Sequence, residues 1–251
     1  MRFRLKAFGL HLLASATVLS LTLGMLNAGW YHWPGWYLTD VLHVVIVLIG
    51  VDVVLGPLLT LIVASATKPR RVLMRDIAVI VSCQLAALIY GTTALWTGRP
   101  LYYAFSVNCL SVVQAYDINQ KELDLARQQK APLVPHWYSL PLWIWAPLPE
   151  DPNQAQDIVI SATLGGTDVI TMPRFYKSWD QGLPELRKRL QKVDEIKFFS
   201  AKEKKTLKER MQAAGLPTDQ PDGIALTGRG RTLLAVIDPT ALKVIAIIKA
   251  T

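Results

Sequence analysis

Three long apolar stretches dominate the first hundred positions of this chain. They run from about Phe8 to Ala28, from about Val41 to Ala64 and from about Ile77 to Trp96. Each holds roughly 20 residues, and a helix of that length crosses the ~30 Å hydrocarbon core of a bilayer. A soluble helix so long would carry a polar stripe along one face, and these do not. In hydrocarbon, backbone N–H and C=O groups must be satisfied within the segment, so a spanning stretch of this kind is helical.

Charge divides the chain at the same place. Residues 1–97 hold ten charged side chains: Arg2, Arg4, Lys6, Asp40, Asp52, Lys68, Arg70, Arg71, Arg75 and Asp76. The remainder, residues 98–251, carries charge at the density of a soluble domain and is long enough to bury its own core. The expected architecture is a three-helix transmembrane bundle over residues 1–97, with helices at about 8–28, 41–64 and 77–96, followed by a small α+β domain over residues 98–251.

The first apolar stretch has the basic start of a secretory leader but no small-x-small cleavage site. Cutting after Ala28 would leave Leu26 at the −3 position, so an uncleaved helix is expected. A pilin leader is excluded as well: the order is Phe8-Gly9, and Ala14 stands where that pattern needs Glu.

Orientation follows from loop charge. The N-terminal end carries Arg2, Arg4 and Lys6, and the second loop carries Lys68, Arg70, Arg71 and Arg75. The first loop, residues 29–40, has no Lys or Arg. Basic residues collect on the cytoplasmic side. The N-terminus is therefore expected in the cytoplasm and the C-terminal domain outside, which in a Gram-negative cell is the periplasm, with the chain in the inner membrane. Trp30, Tyr31, Trp33, Trp36 and Tyr37 read as an aromatic belt at the outer lipid headgroups.

Asp52 is the anomaly of the membrane part. It lies about 16 Å from either end of the second span by helical rise. An ionised carboxylate there costs at least ~2.5–3.5 kcal/mol, so Asp52 is expected to face the bundle interior. Thr17, Gln84 and Tyr90 lie at comparable depth. The residues support a structural hydrogen bond between helices and, equally, a docking point for another membrane segment. Gly56-Pro57 follows one turn later, where Pro57 removes a backbone donor and should kink the helix. Gly50 and Gly56, with Ser15, Thr22 and Gly24, are candidates for close helix approach. His11 reads as a hydrogen-bonding group rather than a metal ligand.

In the tail, Leu101–Val107 and Leu110–Tyr116 read as a hairpin around Asn108, and 119–130 as a polar helix. A stretch rich in Pro and Trp follows, from Pro132 to Pro149, which prolines exclude from helix. Its Trp137, Trp143 and Trp145 make it the candidate loop for contact with a partner or with membrane lipid; a proline-stiffened connector is the other reading. Asp151-Pro152 opens a helix that ends near Gly165-Gly166. Further helices are expected over 184–193 and after Ser200, whose capping box uses Glu203. The chain closes as a hairpin of Thr232–Ile237 and Lys243–Ile248 around Asp238-Pro239.

No catalytic pattern emerges. The chain lacks a nucleophile elbow, a CxxC pair, an HExxH helix and a glycine-rich phosphate loop. No catalytic residue, metal ligand or cofactor site is assigned, and no small-molecule substrate is evident. The densest Lys/Arg run, 185–210, mixes both signs at helical spacing, which argues against nucleic acid. The chain is therefore expected not to be an enzyme.

Several strings together carry a family likeness. Phe8-Gly9-Leu10-His11-Leu12-Leu13 opens the first helix, and Gly50-Val51-Asp52-Val53-Val54-Leu55-Gly56-Pro57-Leu58-Leu59-Thr60 forms the second. Arg75-Asp76-Ile77, Gln84-Leu85-Ala86-Ala87-Leu88, Tyr90-Gly91 and Arg99-Pro100 mark the third helix and its exit. The first hundred residues resemble the TfpX/TfpZ family of type IV pilin accessory proteins. That resemblance implies an inner-membrane chaperone or assembly modulator whose partner is a type IV major pilin. A membrane-anchored periplasmic ligand-binding sensor and an enzyme modifying pilin or envelope are the competing readings.

Overall fold

The computed structural model describes residues 1–238 and 240–250. Pro239, half of the expected Asp238-Pro239 turn, lies outside the described residues. Asp238 Oδ1 accepts the N–H groups of Thr240 and Ala241 at 2.7 and 2.9 Å, the geometry of an Asx turn.

The chain forms two compact units. The first comprises Met1–Trp36 and Asp40–Arg99; the second comprises Tyr37–Thr39 and the chain from Pro100 onward.

The first unit is built on three helices long and apolar enough to cross a membrane: α1 (Arg2–Tyr31), α2 (Leu42–Val63) and α3 (Arg70–Thr97). α1 and α3 run well beyond the apolar stretches at their N-terminal ends. Apolarity measures the thickness of lipid, whereas a helix continues through charged residues until a cap stops it. Pro69 precedes α3 at its N-cap. At its C-terminal end, Arg99 donates to the Trp96 carbonyl at 2.5 Å and lies over the Trp96 ring. Leu19, Leu26, Tyr31, Leu48 and Leu95 form the buried centre of the unit.

Close approach occurs at two glycines. A Cβ on Gly91 would lie 2.5 Å from Leu48 Cδ2, and one on Gly56 would lie 2.0 Å from Gln84 Nε2. Gly24 and Gly50, expected at such contacts, have open space where a Cβ would stand.

The second unit is a seven-stranded mixed sheet in the order β4-β3-β1-β2-β5-β6-β7. The strands are β1 Pro100–Ser106, β2 Cys109–Gln114, β3 Leu142–Trp145, β4 Lys177–Ser178, β5 Gly223–Gly228, β6 Arg231–Ile237 and β7 Val244–Lys249. β3 runs parallel to β1, and β5 parallel to β2; the remaining neighbours are antiparallel.

Both sheet faces are covered, which explains the unbroken apolar runs of β1 and β6. On one face Tyr103, Phe105, Leu233, Ala235 and Ile237 pack with Leu186 and Leu190, which belong to or follow helix α6 (Trp179–Arg189). On the other, Leu234 and Val236 meet Leu207 and Met211 of α7 (Ala201–Ala213). Tyr102, Ala104 and Ile144 form a third cluster with Ile118 and Tyr176. Helices α4 (Gln120–Gln128) and α5 (Pro152–Thr163) complete the unit, with side-chain caps from Asn119 and Asp151.

α6 begins five residues before the expected start at Pro184. Ser178 and Gln181 form a reciprocal capping box that sets the start, and Pro184 falls inside the helix. The Pro- and Trp-rich stretch also differs from a plain loop, because Leu142–Trp145 pairs with Tyr102–Phe105. Prolines flank this strand without occupying it, so its backbone donors stay available for the ladder.

Leu38 is fully buried in the core cluster of the second unit, although it lies between α1 and α2 in the chain. Gly228 makes this possible, since a Cβ there would come within 2.6 Å of the Leu38 carbonyl oxygen. Arg231 donates to the Tyr37 carbonyl at 2.8 Å, and Arg231 and Lys249 both lie over the Tyr37 ring. The expected aromatic belt is therefore divided. Trp33 and Trp36 are exposed, Tyr31 is buried with its hydroxyl donating to the Leu95 carbonyl, and Tyr37 belongs to the sheet domain.

Candidate functional site, an intramembrane polar groove

The site begins with a fault in the second helix. Across Ile49–Leu55 the hydrogen bonding is of the π type, and the Gly56 N–H reaches the Val51 carbonyl. In that register the Asp52 carbonyl looks to residue 57 for its donor. Residue 57 is Pro57, which has none. The Asp52 carbonyl is left over, and the Gln84 side chain on α3 supplies the missing donor: Nε2 donates to it at 2.9 Å. An unpaired carbonyl in hydrocarbon costs several kcal/mol, so this side-chain bond compensates the break in α2. Gly56 leaves the room in which the Gln84 amide sits.

Gln84 Nε2 also lies 3.5 Å from Ser15 Oγ on α1, which ties the three helices together. One turn further along α2, Thr60 Oγ1 lies 2.5 Å from His11 Nδ1. Asp52, Thr60 and Gln84 are all buried. The Asp52 carboxyl oxygen Oδ2 has no hydrogen-bond partner. Asp52 helps line a groove of about 180 Å³ between α1 and α3, together with His11, Ser15, Val18, Gln84 and Leu88; the groove's surface is almost wholly apolar, and Oδ2 lies buried behind it. Val18 and Leu85 on the rim are 47% and 51% exposed, so the groove opens on the lipid-facing side.

Two residues expected in this network lie outside it. Thr17 points outward, and its hydroxyl donates back to the Leu13 carbonyl at 2.7 Å. Tyr90 is 80% exposed on the outer face of α3. Equal depth in the bilayer did not distinguish inward from outward helix faces; Ser15, two positions from Thr17, has the inward angle. Ser15, His11 and Thr60 complete the set, and the i, i+4 spacing of His11 and Ser15 was the available signal.

The tryptophan group also separates. Trp143 and Trp145 stand on β3, where Trp143 stacks on Tyr103 at 4.7 Å and meets Trp179 edge-on. The Trp145 Cβ closes against Gly182 of α6. These two rings are spent on the domain core rather than displayed on a loop. Trp137 alone remains on the surface, 73% exposed. Among the described residues, no three His, Cys, Asp or Glu side chains gather as a metal site. Both cysteines are free, and burial pushes the Cys109 thiol up.

The fold and the groove define a three-helix transmembrane bundle with a buried polar seam, joined to an α+β domain with a mixed sheet. Comparison with known proteins gives that class a family. A Dichelobacter nodosus protein, "Fimbrial assembly protein, serogroups C1 and C2", is 32% identical over 124 residues, covering 49% of this chain and 95% of the relative. The serogroup I and serogroup E1 fimbrial assembly proteins of the same organism are 25% and 24% identical over 240 residues, covering 94% of this chain and 91% of each relative. This chain belongs to the family of fimbrial assembly proteins that these relatives represent. No family model matches the chain, and no solved structure does.

Proposed function

We propose that this protein is an inner-membrane accessory factor in type IV fimbrial biogenesis, acting as chaperone or assembly modulator for a major pilin. In this reading the groove between α1 and α3 holds the apolar helix of a pilin subunit sideways in the bilayer before the subunit enters the fibre. The observation that carries it is a lipid-facing groove lined in part by Asp52, whose unpartnered carboxyl oxygen is buried behind the groove surface. A buried acid without a donor is costly, and a docked helix that offers one lowers that cost. The family relationship supports the fimbrial setting.

In this reading the basic N-terminus and second loop lie in the cytoplasm, and three crossings carry the sheet domain to the periplasm. The presence of Tyr37–Thr39 in the sheet domain supports this, because the first loop and the domain then lie on one side. A periplasmic domain is well placed to meet a pilin head. The proposed role is binding.

The test compares Asp52→Ala and Asp52→Asn strains with the parent at matched levels of this protein. Pilin abundance, surface piliation and recovery of pilin with the detergent-solubilised protein are measured. Reduced recovery and piliation are expected. Wild-type piliation in both strains would remove Asp52 and its groove from the mechanism.

A further inference from the structure

The sheet domain is joined to apolar helices by very short chain at one end of its sheet. Only Gly98 and Arg99 separate Thr97 at the end of α3 from Pro100 at the start of β1. Three Cα–Cα steps of ~3.8 Å let Pro100 lie no further than about 11 Å from that helix end. Pro100 pairs with Gln114 at the end of β2. β5 runs parallel to β2 and delivers the Arg229-Gly230 turn to the same end. Leu38 packs on Gly228 there, and the chain reaches the start of α2 only three residues after Thr39.

β3 is parallel to β1, with Leu142 opposite Tyr102. The chain entering β3 therefore approaches from this same end. This entering segment carries the most exposed aromatic cluster of the domain. Trp137 is 73% exposed, Tyr138 58%, Leu140 55% and Leu142 48%. His136 stacks on Tyr138, and Trp137 meets Tyr138 edge-on, both at 5.5 Å. The rings are thus held together without being covered. Lys130 and Arg127, the latter paired with Asp124, line the adjoining hollow with Trp137.

We propose that residues 136–142 are a membrane-interface anchor, which inserts Trp137, Tyr138 and Leu140 among lipid headgroups. Amphipathic rings favour the headgroup layer, and neighbouring cations complement anionic lipid phosphates. The occupant of this surface is the bilayer in which the chain is already held, since short tethers bring this end of the sheet to the headgroups. The inference is independent of pilin binding.

The test uses the full chain in nanodiscs of phosphatidylethanolamine and phosphatidylglycerol with no pilin present. Leu140→Cys is introduced with Cys83→Ala and Cys109→Ala, spin-labelled, and its collisions with oxygen and with a water-soluble nickel chelate are compared. Asn108→Cys, in the β1–β2 turn at the opposite end of the sheet, is the aqueous reference. Loss of nickel accessibility at position 140 with retention at 108 is expected. Equal nickel accessibility at both positions overturns the proposal. A second reading keeps both cysteines: quenching of the chain's fluorescence by brominated lipid should fall in Trp137→Phe, and an unchanged quenched fraction overturns the proposal.

Discussion

Leu38 offers a sharp test of how the chain between the first two helices is held. The perturbation is Leu38→Ala. Leu38 is fully buried and belongs to a cluster with Tyr103, Phe105, Leu110, Leu226 and Leu233. The substitution removes three carbon atoms, which at ~0.8 kcal/mol per buried CH₂ is about 2.4 kcal/mol of transfer free energy. The strands around the void are fixed by their ladders and relax little, so a cavity contribution adds to this. The total is expected at about 3–5 kcal/mol, the range of well-buried Leu→Ala changes. For a domain of this size that corresponds to a fall in Tm of about 6–20 °C, at ~2–4 °C per kcal/mol. The assay is thermal unfolding of the full chain in detergent, followed through near-UV dichroism. Trp143 and Trp179 pack against the same cluster and report on it. Leu164→Ala, at a side chain 81% exposed, is the reference and should shift stability by no more than ~0.5 kcal/mol. A Leu38→Ala shift no larger than the Leu164→Ala shift would refute the argument, because Leu38 could not then be a core residue of the sheet domain.

Two further substitutions test charges in the sheet domain. Glu122 on α4 pairs with Arg174 at 3.1 Å in a nearly closed environment, with side chains 9% and 17% exposed. Glu122→Ala strands the guanidinium and should cost about 3–5 kcal/mol in chemical denaturation, while Arg174→Met with Glu122→Leu should recover most of that loss. Asp222 is buried, one of its carboxyl oxygens lacks a partner, and burial pushes its pKa above the ordinary 3.8. The native state then holds this proton more tightly than the unfolded chain. The stability Asp222 contributes is fully present below 3.8 and is lost as pH rises through its higher native value. Asp222→Asn should therefore raise Tm at pH 7, with the gain shrinking as pH falls toward 3.8; a gain independent of pH would contradict this account.

Much of the architecture was legible before any coordinates. Apolar length identifies a spanning helix because the bilayer imposes one thickness on every segment that crosses it. Caps were similarly readable: Asp151 and Ser200 each hold the helix start by a local bond to a residue two or three positions on. The hairpin at β1 and β2 and the late pair β6 and β7 followed from short apolar runs flanking turn residues. In each case the deciding interaction lies within a few residues of the chain, or in the solvent around it.

The features left open by the sequence involve partners distant in the chain. Gln84 matters because a π turn and Pro57 leave the carbonyl of Asp52 without a donor, and the helix bearing Gln84 is 32 residues away. Thr17 and Tyr90 share the depth of Asp52 but not its face, and helix rotation is fixed only by packing. β3 lies in a stretch that reads as loop because its ladder is supplied by β1, about 40 residues earlier. What this sequence determined alone is the division into a lipid-soluble and a water-soluble part, since transfer free energy depends on composition over a short window. Tertiary structure decided which polar groups converge on the groove, that Trp143 and Trp145 are core, and that Leu38 completes a sheet it does not adjoin in the chain. Those outcomes depend on contacts whose partners are chosen by shape and register, and no local stretch of sequence encodes either.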